Sequence, residues 1–164
     1  MCELNNITNV KTMEYAISNI SELLTTNDNL DHCSFVYGNT GLNGNVKINA
    51  VSLDYLYETK QFDNIGYIHL DVEGMEYKIL EGSDTLIREC RPIISFEQHL
   101  EIDDYDIIVS YLHKHKYVIF LIDEILPYCR HDCRNSIAFP NEIYNEDLIE
   151  NINTYIGKNI LIRK

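Results

Sequence analysis

A chain of 164 residues, 45% of them hydrophobic, has the length of a single domain and enough apolar material for a core, which argues against intrinsic disorder. Its formal net charge of -13, from 26 acidic against 13 basic side chains, disfavours nonspecific nucleic-acid binding, since displacing counterions from phosphates takes a basic face. Five scattered cysteines, an odd number, do not suit a disulfide framework and point to a reducing compartment.

The amino terminus has no basic region followed by an apolar run, and no stretch approaches the ~18 apolar residues of a membrane helix, so a soluble cytoplasmic protein with no membrane partner is expected. Residues 10–16 (VKTMEYA) alternate and predict a strand. Residues 18–45 are polar, with turn signals at Asn27-Asp28-Asn29 and Gly38-Asn39-Thr40-Gly41, and suit a β-ribbon or a long loop. Residues 46–53 (VKINAVSL) read as another short strand, and Asp54-Tyr55-Leu56 opens a short helix. Residues 65–70 (IGYIHL) predict a strand; Met75, Ile79 and Leu80 then fall at helical spacing. Gly82 interrupts that helix, and Ser83 is placed to cap a second one carrying Leu86 and Ile87.

Pro92 opens the apolar run Ile93-Ile94-Ser95-Phe96, a buried-strand signal. Asp103-Asp104 begins the next helix, with Ile108, Tyr111, Leu112 and His115 on one stripe and acids and bases placed to suit the helix dipole. Residues 117–122 (YVIFLI) predict a strand, 136–139 a short one ended by Pro140, 142–155 a helix and 160–162 a closing strand. No repeat, low-complexity run or linker divides the chain, so residues 1–164 read as one domain. Strands alternating with helices give the βαβ rhythm of a parallel α/β sheet, where ligands sit at the carboxyl ends of strands. Chemistry is therefore sought just after Leu70 and just after Phe96.

After Leu70 the chain runs Asp71-Val72-Glu73-Gly74-Met75-Glu76-Tyr77, then Ile79-Leu80-Glu81-Gly82. A strand ending in Asp-Val-Glu-Gly, followed by a helix ending in Leu-x-Gly, resembles the signature of the FkbM methyltransferase family. The flanks agree: Ser52-Leu53-Asp54 resembles the family's Ser/Thr-Leu-Asp segment, and Arg91-Pro92-Ile93-Ile94-Ser95-Phe96-Glu97 its next strand. Residues 10–18 resemble its third strand and the Ala-x-Ser that follows, so the resemblance spans roughly residues 4–122.

The resemblance implies a class I methyltransferase fold, Rossmann-like, with a mostly parallel sheet of strand order 3-2-1-4-5-7-6. It implies S-adenosylmethionine (SAM) as methyl donor and a hydroxyl oxygen, on a small molecule or a glycan, as acceptor. The family opens with an Asp-x-Gly-Ala-Asn-x-Gly type loop, then an acid ending its second strand. Neither element has a match here, so the expected sheet lacks its first two strands and its donor site lacks its main wall. On this reading the chain alone holds the donor weakly or not at all, and an open sheet edge invites self-association. The alternative is a non-enzymatic remnant or binding module derived from a methyltransferase.

Asp71 reads as a group that orients the acceptor, binds the donor or accepts a proton; alternatively it caps the helix that follows. Glu73 suits a helix's first turn and Gly74 a tight turn. Glu97 and His99 follow the next strand, where a histidine beside a carboxylate can deprotonate a hydroxyl; alternatively both are exposed in a polar loop. Asp71, Glu97 and His99 are thus the candidate catalytic set, with a divalent cation among them a weaker reading. Ala16, Ile17 and Asp71 are the candidate donor-binding set. Cys129-Arg130-His131-Asp132-Cys133 offers soft ligands at short spacing but has no second pair in the sequence, so no metal site is assigned. Lys114, Lys116, Arg163 and Lys164 are read as a solvated helix end and tail.

Overall fold

A computed structural model describes residues 8–20, 22–26, 46–72, 74–100, 105–123, 131–156 and 161–164. In chain order the elements are β1 (Ala16–Ile17), β2 (Glu22–Thr26), β3 (Val46–Val51), α1 (Leu53–Glu58), β4 (Tyr67–Leu70), α2 (Glu76–Glu81) and α3 (Asp84–Cys90). There follow β5 (Ile93–His99), α4 (Tyr105–Lys114), β6 (Tyr117–Ile122), β7 (Cys133–Pro140), α5 (Glu146–Ile156) and β8 (Leu161–Arg163). None of these helices is long and apolar enough to cross a membrane.

The strands form two sheets, a small one of order β1-β3-β2 and a five-stranded one of order β4-β5-β7-β6-β8. β4 and β5 are parallel neighbours, with Tyr67 opposite Ile93 and Leu70 opposite Phe96. The other three pairings of the large sheet are antiparallel, so this mixed α/β fold has a mostly antiparallel sheet and not the expected mostly parallel one. The helical crossovers do their part: β5 and β6 both run against β7, so β4, β5 and β6 share one direction. What changes the pairing is β7, which inserts between β5 and β6, and β8, which runs against β6.

One face of the large sheet carries Leu70, Ile94, Phe96, Ile119 and Ala138, packed against Ile79, Leu80 and Ile87 of α2 and α3 and Ile108 and Leu112 of α4. The stripe read along α4 thus buries its apolar members, while Asp103 and Asp104 lie outside the described residues. On the other face, Val118, Phe120 and Phe139 pack against Leu148, Ile149 and Ile152 of α5. Side chains alternate along a strand, so Tyr67, His69, Ser95, Glu97 and His99 share this second face.

Some local expectations shift. Of the strand expected over residues 10–16, only Ala16 pairs, continued by Ile17; Val10, Met13 and Tyr15 are exposed and have no sheet beneath them. Within residues 18–45, β2 lies antiparallel on β3, and residues 27–45 fall outside the described set. Ser83 stands at the N-cap position of α3 as expected, but its side chain makes no capping bond. Its hydroxyl donates back to the Ile79 carbonyl, and the first-turn amides of Thr85 and Leu86 donate instead to the Asp54 carboxylate at 3.0 and 2.8 Å. Ser52 caps α1, its hydroxyl accepting from the Tyr55 amide at 3.1 Å. The Ser52-Leu53-Asp54 segment is therefore a clamp: one cap, one core residue and one long-range cap.

Candidate functional site

The loop after β4 is shaped by a residue absent from the sequence-based candidates. Glu76 is buried, and its carboxylate accepts from the Val72 amide at 3.0 Å and the Gly74 amide at 3.0 Å. The carboxylate thereby pairs two amides of the loop ahead of α2, donors that need a partner where the chain packs down. Gly74 has φ 92°, a left-handed conformation that suits glycine, as the tight-turn reading expects. Glu73 lies outside the described residues. α2 starts at Glu76 with Met75 in the cap position, so Asp71 is not its N-cap. The carboxylate of Asp71 instead stands exposed at the carboxyl end of β4.

There it meets Glu97. β5 runs on through His99, so Glu97 and His99 sit in a strand, not in the exposed polar loop considered as an alternative. The extension has a partner: β7 continues beside it, with Asn135 opposite Glu97 and Cys133 opposite His99. The buried Cys133 thiol donates to Glu97 Oε1 at 2.6 Å. That bond draws the Glu97 carboxyl downward. Burial, a hydrogen bond with Asp71 and the Asp71 charge push it up and prevail, against a smaller opposing pull from His99. His99 Nδ1 lies 3.8 Å from the buried Asp132 carboxylate. Asp71, Glu97 and His99 thus converge at one end of β4 and β5, held from below by Cys133 and Asp132.

A second polar group lies one step back on the same face. The Ser95 hydroxyl is within hydrogen-bond distance of the Tyr67 hydroxyl, 2.6 Å, and of His69 Nδ1, 2.7 Å. Ser95 does not figure among the sequence candidates, and Cys133 was weighed only as a soft metal ligand, because the roles of both depend on cross-strand register. The period of two does foreshadow His69 and Asp71 on one face.

Ala16, Ile17 and Asp71, the candidate donor-binding residues, line one cavity of about 900 Å³ between the small sheet and β4. Its walls are largely apolar, with Leu53, Ile68, Met75 and Ile79 among them, and do not include Glu97 or His99. Cys129 lies outside the described residues, and among those described no group of three or more histidine, cysteine or acidic side chains is placed to hold a metal ion. Lys116, Arg163 and Lys164 come together with His113 around a separate cleft of about 480 Å³, while Lys114 is not part of its wall.

Residues 4–119 match the family model described as the methyltransferase FkbM domain. No curated protein and no solved structure matches the chain.

Proposed function

The chain belongs to the FkbM methyltransferase family, and from that premise we propose that it carries the acceptor side of a methyl-transfer site, with SAM as donor and a hydroxyl oxygen as acceptor. The sheet order supports this reading. β4-β5-β7-β6 follows the same succession as the 4-5-7-6 half of a class I methyltransferase sheet.

The carrying observation is the placement of Asp71 beside Glu97 at the carboxyl end of two parallel strands, where the register sets Leu70 opposite Phe96 and the Asp71 carboxylate raises the Glu97 carboxyl. Two adjacent carboxyls share a proton, and the raised one is the stronger base. Glu97 takes the acceptor hydroxyl proton in this scheme, Asp71 orients the acceptor, and His99 adds a second proton-accepting position. The cavity fits the donor in size, since small-molecule sites span ~300–1,000 Å³, and in character, with an apolar wall at Ala16 and Ile17 and a carboxylate at Asp71. When bound, SAM supplies an electrophilic methyl group on a sulfonium centre.

The test is methyl transfer from labelled SAM, at millimolar donor, to a panel of hydroxyl compounds. Glu97→Gln and Asp71→Asn should each lower turnover by roughly 10²-fold or more, the range for a lost general base, with unchanged circular dichroism. Turnover at the wild-type rate in both variants would remove the pair from the chemistry. A second reading, a binding module derived from a methyltransferase, is favoured by the edge of β4, which has no strand partner among the described residues.

A further inference from the structure

Basic side chains that the sequence alone places on a solvated helix end and tail meet in the structure. His113 and Lys116 come from the end of α4 and the turn into β6, Arg163 and Lys164 from β8 and the residue after it, and all four line the cleft of about 480 Å³. Its wall, among the described residues, includes no carboxylate side chain. The cleft reaches Tyr117 and Val118 at the amino end of β6, and β4, β5 and β6 share one direction, so it stands at the opposite end of the sheet from Asp71 and Glu97. The backbone at Lys116 is tied on both sides. Its amide donates to the His113 carbonyl at 2.9 Å, and its carbonyl accepts from the Asn141 amide at 2.9 Å. The Arg163 guanidinium lies over the Tyr144 ring, 5.2 Å from its centre, and donates to the Tyr144 hydroxyl at 3.5 Å.

Like charges gathered in one cleft repel, and these are not neutralised from within the chain. No carboxylate among the described residues pairs with Lys116, Arg163 or Lys164. The Glu142 carboxylate, held low chiefly by Arg91 and slightly by Lys116, is already committed to Arg91 at 2.5 and 2.9 Å. The carbonyl end of α4 would oppose an anion. Its Tyr111, His113 and His115 carbonyls, however, already accept from the His115 amide, the Lys116 amide and the Arg91 guanidinium. We propose that this cleft is an anion site for a phosphate dianion, free or as the monoester of a small compound. A carboxylate brings one charge, whereas a phosphate monoester brings about −1.5 to −2 at pH 7 and three acceptor oxygens, which suits several cations at once. The Tyr144 ring and Val118 give the rest of such a compound an apolar flank, and the volume falls in the ~300–1,000 Å³ of small-molecule sites. An extended polyanion fits less well, since the acidic remainder of the chain repels whatever runs beyond the cleft. The inference is independent of the methyl-transfer reading, whose residues stand at the other end of the sheet.

The experiment is an NMR titration of the full chain, at fixed ionic strength and neutral pH, with phenyl phosphate, inorganic phosphate and benzoate as probes. Phenyl phosphate should shift the backbone amides of Lys116, Asn141, Tyr144 and Arg163 saturably. Benzoate, with the same ring and a single charge, should bind about tenfold more weakly or worse. Lys116→Gln and Arg163→Gln should each weaken phenyl phosphate by about tenfold, the scale of one lost charge-assisted bond. The second variant sits in a strand and keeps the test decisive if the first disturbs its turn. Tighter binding of the ester than of inorganic phosphate assigns the cleft to a phosphorylated compound; equal binding assigns it to the free anion. Shifts that do not saturate, or that spread evenly to lysines elsewhere such as Lys60 and Lys78, overturn the proposal. So does equal affinity for benzoate, or wild-type affinity in both variants.

Discussion

The Glu97 carboxyl sits among neighbours that act on its proton in opposite directions, with the Cys133 thiol favouring the anion and burial and Asp71 favouring the acid. Because the net shift is upward from 4.5, the folded chain binds more protons than the unfolded one between that value and the raised one. Stability from this group is thus complete below 4.5 and is lost as pH rises through the raised value. Glu97→Gln removes the titration but keeps an oxygen for the Cys133 thiol. Thermal melts from about pH 4 to pH 8 should show the wild type losing ground to the variant as pH rises; parallel curves would mean that no proton is shared. Glu76 behaves differently, being buried and bonded to two amides. Glu76→Ala should cost about 2–3 kcal/mol, the scale of a charged hydrogen bond lost in the interior, measured by urea denaturation. A cost near zero would show that the loop holds its shape without it. Asp71 and Glu97 were legible in the sequence through the rule that ligands sit at strand ends. Cys133 was not, because it reaches Glu97 only through the β5–β7 register.

Between elements, a close backbone approach lies where the α2–α3 junction crosses the chain after β1. A Cβ on Gly82 would stand 2.6 Å from the Ser18 carbonyl oxygen and 2.7 Å from the Asn19 Cα, both backbone atoms that cannot rotate away. The Gly82 carbonyl also accepts from the Asp54 amide at 3.0 Å, so the junction ties β1, α1 and α3 together. Gly82→Ala should cost about 2–3 kcal/mol, in the range of overpacked cores, and lower the melting temperature by roughly 5–10 °C. Gly66→Ala is the control, since nothing stands within 4 Å of its Cβ position; equal losses in the two variants would refute the packing argument. The β4-helix-β5-helix-β6 succession was legible because each element carries its own apolar period. The place of β7 was legible only through the resemblance, whose 4-5-7-6 order sets a strand between β5 and β6, since no local pattern encodes a strand's neighbours.

At the scale of the whole molecule, the proposed acceptor side and the proposed donor side are unequally furnished. The proposed acceptor side has Asp71, Glu97 and His99 at adjacent strand ends, supported by Cys133 and Asp132. The cavity that fits the donor is walled mostly by apolar residues, with Asp71 as its one described carboxylate. The sequence contains no match to the glycine loop or to the acid after the second strand through which the resembled family grips SAM. In the proposed donor site Ala16 and Ile17 offer the adenine only apolar contact, while the ribose hydroxyls and the aminoacyl end need polar partners, and unpaired polar groups cost affinity. Titration calorimetry of SAM into the purified chain should therefore give a dissociation constant of about 1 mM or weaker, equivalent to roughly 4 kcal/mol. A micromolar constant at one-to-one stoichiometry would show that this chain builds a complete donor site from other residues.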